Sequence, residues 1–130
     1  MTQRLMKHEE DPRERMLRDI GPLDRVEIFN NLVLVALYER PETTKGGIIL
    51  PETAKAEDEY QGKVGLVVKL GPTAFKDPEN KWFVDQDVKI GDWLVFHASD
   101  GRRIDLNNTK FRYLQDTAIK FRVDHPDRVW

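Results

Sequence analysis

Hydrophobic positions along this chain fall into two regimes. Up to about residue 21 they are sparse and spaced at helical intervals. Met16, Leu17 and Ile20 share one side of an otherwise charged segment. Asp11-Pro12-Arg13-Glu14 supplies a capping side chain, a proline at the first helical position and a glutamate three residues after the cap. Gly21-Pro22 then ends the segment. The predicted helix makes about two and a half turns, too few to be stable alone. It has to dock, either on the rest of its own chain or on a neighbouring copy.

From Leu32 onward the pattern is that of strands. Leu32–Tyr38 is a nearly continuous apolar run, rich in β-branched residues, as in a buried strand. Lys63–Leu70 predicts a second strand, ended by Gly71-Pro72. Val88–Ile90 leads as a short strand into the Gly91-Asp92 turn, and Trp93–Phe96 follows as another. Lys110–Leu114 and Ala118–Val123 alternate and read as half-buried strands. Short strands separated by turns predict a small β-barrel or sandwich. The organisation expected is an extension over residues 1–28, a barrel domain over 29–124 and a tail over 125–130.

The stretch from Glu39 to Gln61 breaks this plan. A connection of this length is uncommon in a compact domain and is usually functional or disordered. Acids Glu39, Glu42, Glu52, Glu57, Asp58 and Glu59 outnumber bases Arg40, Lys45 and Lys55. Its centre nevertheless holds Gly46-Gly47-Ile48-Ile49-Leu50-Pro51. A permissive backbone followed by three large aliphatics in a polar setting suits a segment that buries them in a partner. Each side chain so buried gains about 1.5–3 kcal/mol before ordering costs. Packing of the triplet on the chain's own core is the competing reading.

Thr44-Lys45-Gly46-Gly47-Ile48-Ile49-Leu50-Pro51 resembles the mobile loop of the co-chaperonins, the GroES family. Three further segments match that family in the same order. They are the strand Leu32–Tyr38, the run Gln61–Val68 after the loop, and Asp87-Val-Lys-Ile-Gly-Asp-Trp-Leu-Val-Phe96, similar to the family's strand-turn-strand. The resemblance implies an all-β fold: a small irregular GroES-like β-barrel with a long mobile loop, here carrying a short N-terminal helix. It also implies a heptameric homo-oligomer that caps an ATP-bound GroEL-type chaperonin ring around an unfolded client protein. By position, Gly46 and Gly47 would form the loop's turn, and Ile48, Ile49 and Leu50 would enter an apolar groove of the chaperonin. Subunits would join through Ala118, Ile119, Phe121 and Val123 of the last strand, paired with Leu32 and Leu34 of the neighbour's first strand. The added ends look like those of bacteriophage-encoded relatives, some of which assist capsid-protein folding. A virion structural or assembly protein that reuses the barrel without binding a chaperonin is the alternative.

Composition narrows the chemistry further. The 130 residues carry 21 Lys and Arg against 23 Asp and Glu, a formal charge of −2, so nothing suggests a nucleic-acid partner. No cysteine is present, which excludes disulfides, Cys-ligated zinc and thiol catalysis. No apolar run approaches the roughly 20 residues of a membrane helix, and no signal-peptide core opens the chain. A cytoplasmic protein is the expectation. His8, His97 and His125 lie far apart, with no metal-ligand spacing. His97 is assigned to ordinary turn chemistry, and Arg102, Arg103, Lys110 and Arg112 to a solvated face or a ring contact. Asn107-Asn108-Thr109 is a chance glycosylation match. No catalytic residues, no metal and no cofactor are expected, and the chain does not read as an enzyme.

Overall fold

The structure, a computed structural model, describes residues 10–38, 49, 63–79, 83 and 87–129. Helix α1 spans Pro12–Asp19. Asp11 is extended, as a residue before proline prefers, and its carboxylate accepts the Arg13 N–H at 3.1 Å. The Ile20 N–H closes the last turn on the Met16 carbonyl, 3.0 Å away. Gly21 then takes a φ of 81°, a conformation that a side chain would strain. Start and stop are those the sequence predicts.

Six strands follow: β1 (Leu32–Leu37), β2 (Val64–Leu70), β3 (Trp93–Phe96), β4 (Arg102–Leu106), β5 (Thr109–Gln115) and β6 (Ile119–Val123). They form one sheet in the order β4-β5-β1-β2-β3-β6, with every pairing antiparallel. This is the expected all-β plan with one short helix, consistent with a small barrel. Gly65 of β2 sits so close to β1 that a Cβ there would lie 2.7 Å from a Val35 methyl. Among the described residues, no helix is long and apolar enough to cross a membrane.

Alternate residues of β1 serve two core layers. Val33, Val35 and Leu37 pack with Val67, Leu94, Phe96 and Leu114 on one face. Leu34, Ala36 and Tyr38 pack with Val64, Leu66, Trp93 and Phe111 on the other. The second layer is sealed by Met16 of α1, by Ile20 at its C-cap, by Leu23 and Ile28 of the link after it, and by Val129. A strand covered on both faces needs no polar alternation, which explains the continuous apolar run. The helix therefore docks on its own sheet; Leu17, the third member of the stripe, stays exposed.

Three expectations need correction. Val88–Ile90 forms no strand: Asp92 accepts the Lys89 N–H at 2.9 Å and shapes a turn that leaves Ile90 exposed. Strand β4 was not expected, because Arg102, Arg103, Ile104 and Asp105 are all exposed and show no alternation. It pairs with β5 through a two-residue turn in which Asn107 and Asn108 have φ of 51° and 61°. Asparagine tolerates that left-handed backbone, so the Asn-Asn pair, set aside as a chance motif, was the hairpin signal. Strand β6 does not bury one face. Its pairing with β3 shifts register between Val95 and Phe96, which sends Ile119 to one core layer and Val123 to the other.

Candidate functional site

The two ends of the Glu39–Gln61 segment emerge side by side from the sheet. Tyr38, just after β1, donates its N–H to the Val64 carbonyl at 3.2 Å, and Phe96 donates to the Lys63 carbonyl at 2.9 Å. Of the five residues expected to contact a chaperonin, Ile49 is described and is 73% exposed. Gly46, Gly47, Ile48 and Leu50 lie outside the described residues.

The Tyr38 side chain is fully buried, with its ring edge against Trp93 at 5.7 Å and 78°. Its hydroxyl donates to Asp127 Oδ1 at 2.5 Å. Asp127 is only 2% exposed and belongs to the 3-10 turn Pro126–Val129. The Asp127 N–H in turn donates to His125 Nδ1 at 3.1 Å. Asp124 and Arg128 pair across the turn's outer side, and the guanidinium holds the Asp124 carboxyl below its ordinary range. The stretch expected to be a separate tail is thus packed into the second core layer. Sequence reasoning missed this contact. The one available signal was a tyrosine ending an apolar run, since a buried tyrosine hydroxyl needs a partner.

The residues expected to join subunits divide sharply. Leu34 is 2% exposed inside the second core layer, and Leu32 is half-buried. Both edges of β1 are already paired within the chain, to β2 and to β5. Within one chain, β1 thus offers a neighbour's strand no unpaired edge among the described residues. The last strand also completes its own chain's sheet, through β3. Among the described residues no strand pairs with its other edge, and Phe121 of this strand is 68% exposed. Ala118, Ile119 and Val123 are half-buried. Beside them opens a cleft of about 250 Å3, lined by Phe75, Val88, Leu94, Ile119, Phe121 and Arg122.

The basic cluster stays together on the β4–β5 hairpin, with Arg103 opposite Arg112, but divides by burial. Arg112 is 3% exposed, with Nη1 donating to the carbonyls of Ala98 at 2.8 Å and Asp100 at 3.3 Å and its guanidinium over the Phe96 ring. Burial lowers its pKa from the ordinary arginine value. It pins the loop before β4 and is not part of a solvated face. Trp93 is core. His97 sits in a turn, its carbonyl accepting the Asp100 N–H. Among the described residues, no cluster of three potential metal ligands forms.

Comparison with known proteins agrees with this architecture. The family model described as the chaperonin 10 Kd subunit matches residues 25–121. The chain is 35% identical over 83 residues to the co-chaperonin GroES of Halothermothrix orenii, covering 64% of this chain and 80% of that protein. It is 30% identical over 105 residues to co-chaperonin GroES 1 of Rhodopirellula baltica, covering 81% and 92%. With co-chaperonin GroES 2 of Mesorhizobium japonicum it shares 34% over 91 residues, covering 70% and 82%. Helix α1 and the turn Pro126–Val129 both lie outside the matched range. Strands from β1 to β6, in contrast, fall almost wholly within it, and the chain belongs to the chaperonin 10 family, the non-enzymatic co-chaperonins of the GroES kind.

Proposed function

We propose that this chain assembles into a ring and serves as the lid of a GroEL-type chaperonin, with the 39–61 segment acting as the family's mobile loop does. The observation that carries this reading is Ile49. It is a large aliphatic left 73% exposed in a segment whose Gly-Gly-Ile-Ile-Leu centre resembles that loop. Burial of three such side chains per subunit is modest when set against the ordering of the segment. Repetition around a ring raises the effective concentration of each further loop and restores affinity. Contacts that are weak one by one also allow the lid to leave again.

The ring contact in this reading is the free edge of β6 with Phe121, in place of the pairing to Leu32 and Leu34. An unpaired strand edge with an exposed aromatic is an aggregation hazard, and a closed ring removes it. The exposed Phe29, just before β1, offers a neighbour an apolar group without disturbing the paired strand. A heptamer is the ring size implied by the family.

Ile49→Asp tests the lid. It should abolish co-elution with a GroEL-type ring in the presence of ATP while the melting temperature stays within about a degree. Unchanged co-elution would refute the role given to the loop. Phe121→Lys tests the ring by native mass spectrometry, with monomers expected; an intact oligomer would place the interface elsewhere.

A further inference from the structure

Resting on that reading, we propose that the turn Pro126–Val129 is a buttress for the two stems of the 39–62 segment. Asp127 and Tyr38 act as positioning residues that set how well the segment presents itself to a chaperonin. The juxtaposition is specific. Tyr38 is the last described residue before the segment, and its N–H bonds to Val64, at the start of the strand that follows it. The same residue's hydroxyl bonds to Asp127, 89 positions further along, and its ring packs on Trp93. Val129 of the turn packs into the core layer that also holds Tyr38, Val64 and Trp93. One small turn therefore braces both stems from the side opposite the first core layer. It lies beyond the range matched by the family model.

The energetic logic follows from burial. A carboxylate with 2% exposure is tolerated when it is hydrogen-bonded, and Asp127 accepts from the buried Tyr38 hydroxyl. Loss of this bond loosens the turn and the end of β1 together. A stem that fluctuates adds conformational freedom that partner binding must then remove, which weakens binding without altering the aliphatic contact itself. Asp127 and Tyr38 thus tune affinity from outside the contact surface.

Hydrogen exchange on the full chain tests the structural half. Asp127→Ala should speed exchange at the Tyr38 and Phe96 amides, which close the two stems, at least tenfold. Amides of the β4–β5 hairpin should stay within twofold. Asp127→Asn, which keeps an acceptor oxygen, should restore stem protection to within threefold of the parent. If the alanine variant does not fold, Tyr38→Phe removes the hydroxyl alone and gives the same comparison. Unchanged stem exchange, or a rise spread evenly over all strands, would overturn the buttress. The functional half is read as affinity for a GroEL-type ring with ATP, where Asp127→Ala should bind about tenfold more weakly and Asp127→Asn near normally. Loosened stems with unaltered affinity would overturn the tuning. Failure of the parent chain to bind any such ring would instead refute the lid reading, with the exchange result still deciding the buttress.

Discussion

Asp116 organises more of this barrel than any residue singled out by sequence. Its carboxylate accepts from Asn31 Nδ2 at 2.9 Å and from the Phe75 N–H at 3.0 Å, and its own N–H donates to the Asn31 carbonyl at 3.0 Å. Phe75 has a φ of 58°, a left-handed backbone that a bulky residue adopts only under constraint. Such a residue stores about 1–3 kcal/mol, and the Asp116 bond is one constraint that keeps it there. Asp116→Ala leaves the half-buried amide group of Asn31 and the Phe75 N–H without this acceptor. We expect a loss of about 3 kcal/mol in urea unfolding, with Asp116→Asn losing about half as much. Little at this scale was legible in advance. Asp11 was, because capping is local and its partner is two residues away. Asp116, Arg112 and the Tyr38–Asp127 pair were not, because each acquires its partner through the fold, at separations no periodicity encodes.

Elements are a different matter. The helix, β1, β2, β3 and β5 were readable because their chemistry is local: a cap, an apolar run, a glycine-proline stop. Asp11→Ala should lower stability by about 1 kcal/mol, the usual worth of an N-cap, read as an earlier unfolding midpoint with an unchanged far-ultraviolet spectrum below the transition. Strand β4 was illegible because it is an exposed edge whose arginines protect it from further pairing, and protection looks like solubility. Strand β6 was readable as a strand but not in its register, since the bulge opposite Val95 and Phe96 defeats a simple alternation. The same pairing decides what truncation should do. A chain ended before Thr117 loses β6 and the Pro126–Val129 turn from its own sheet, exposing Trp93 and removing the bond from Tyr38 to Asp127. We expect it to unfold, not to survive as a dissociated barrel. A cooperative melt with native β content would contradict this.

At the scale of the whole molecule, the segments before β1 and after β6 give the sheet its second cover. Met16, Ile20, Leu23, Ile28 and Val129 close a layer that Leu34, Ala36, Tyr38, Val64 and Leu66 would otherwise present to water. Removal of residues 1–21 should therefore yield a chain that binds a hydrophobic dye and self-associates, because an exposed apolar patch of that kind is an aggregation site. A dye-negative product of unchanged association state would show that the helix is dispensable cover. In the proposed reading the β6 edge forms the ring and the 39–61 segment captures the chaperonin, so Ile49→Asp should leave the ring intact, whereas Phe121→Lys should weaken capture along with the ring.

The bond from Tyr38 to Asp127 also has a consequence for how the protein is made. A ribosome adding about 5–20 residues per second needs roughly 4–18 s to travel the 89 positions between them. Through most of that interval β1, the most apolar strand, has emerged while β5, its other flanking strand, and the turn that shields Tyr38 have not yet been synthesised. Such a nascent chain presents a bare hydrophobic ribbon during translation, so a co-chaperonin subunit is itself a natural substrate for the chaperones that wait at the ribosome. Slowing translation between Leu37 and Thr109 should increase its capture by them, and placing a synonymous fast stretch there should reduce it.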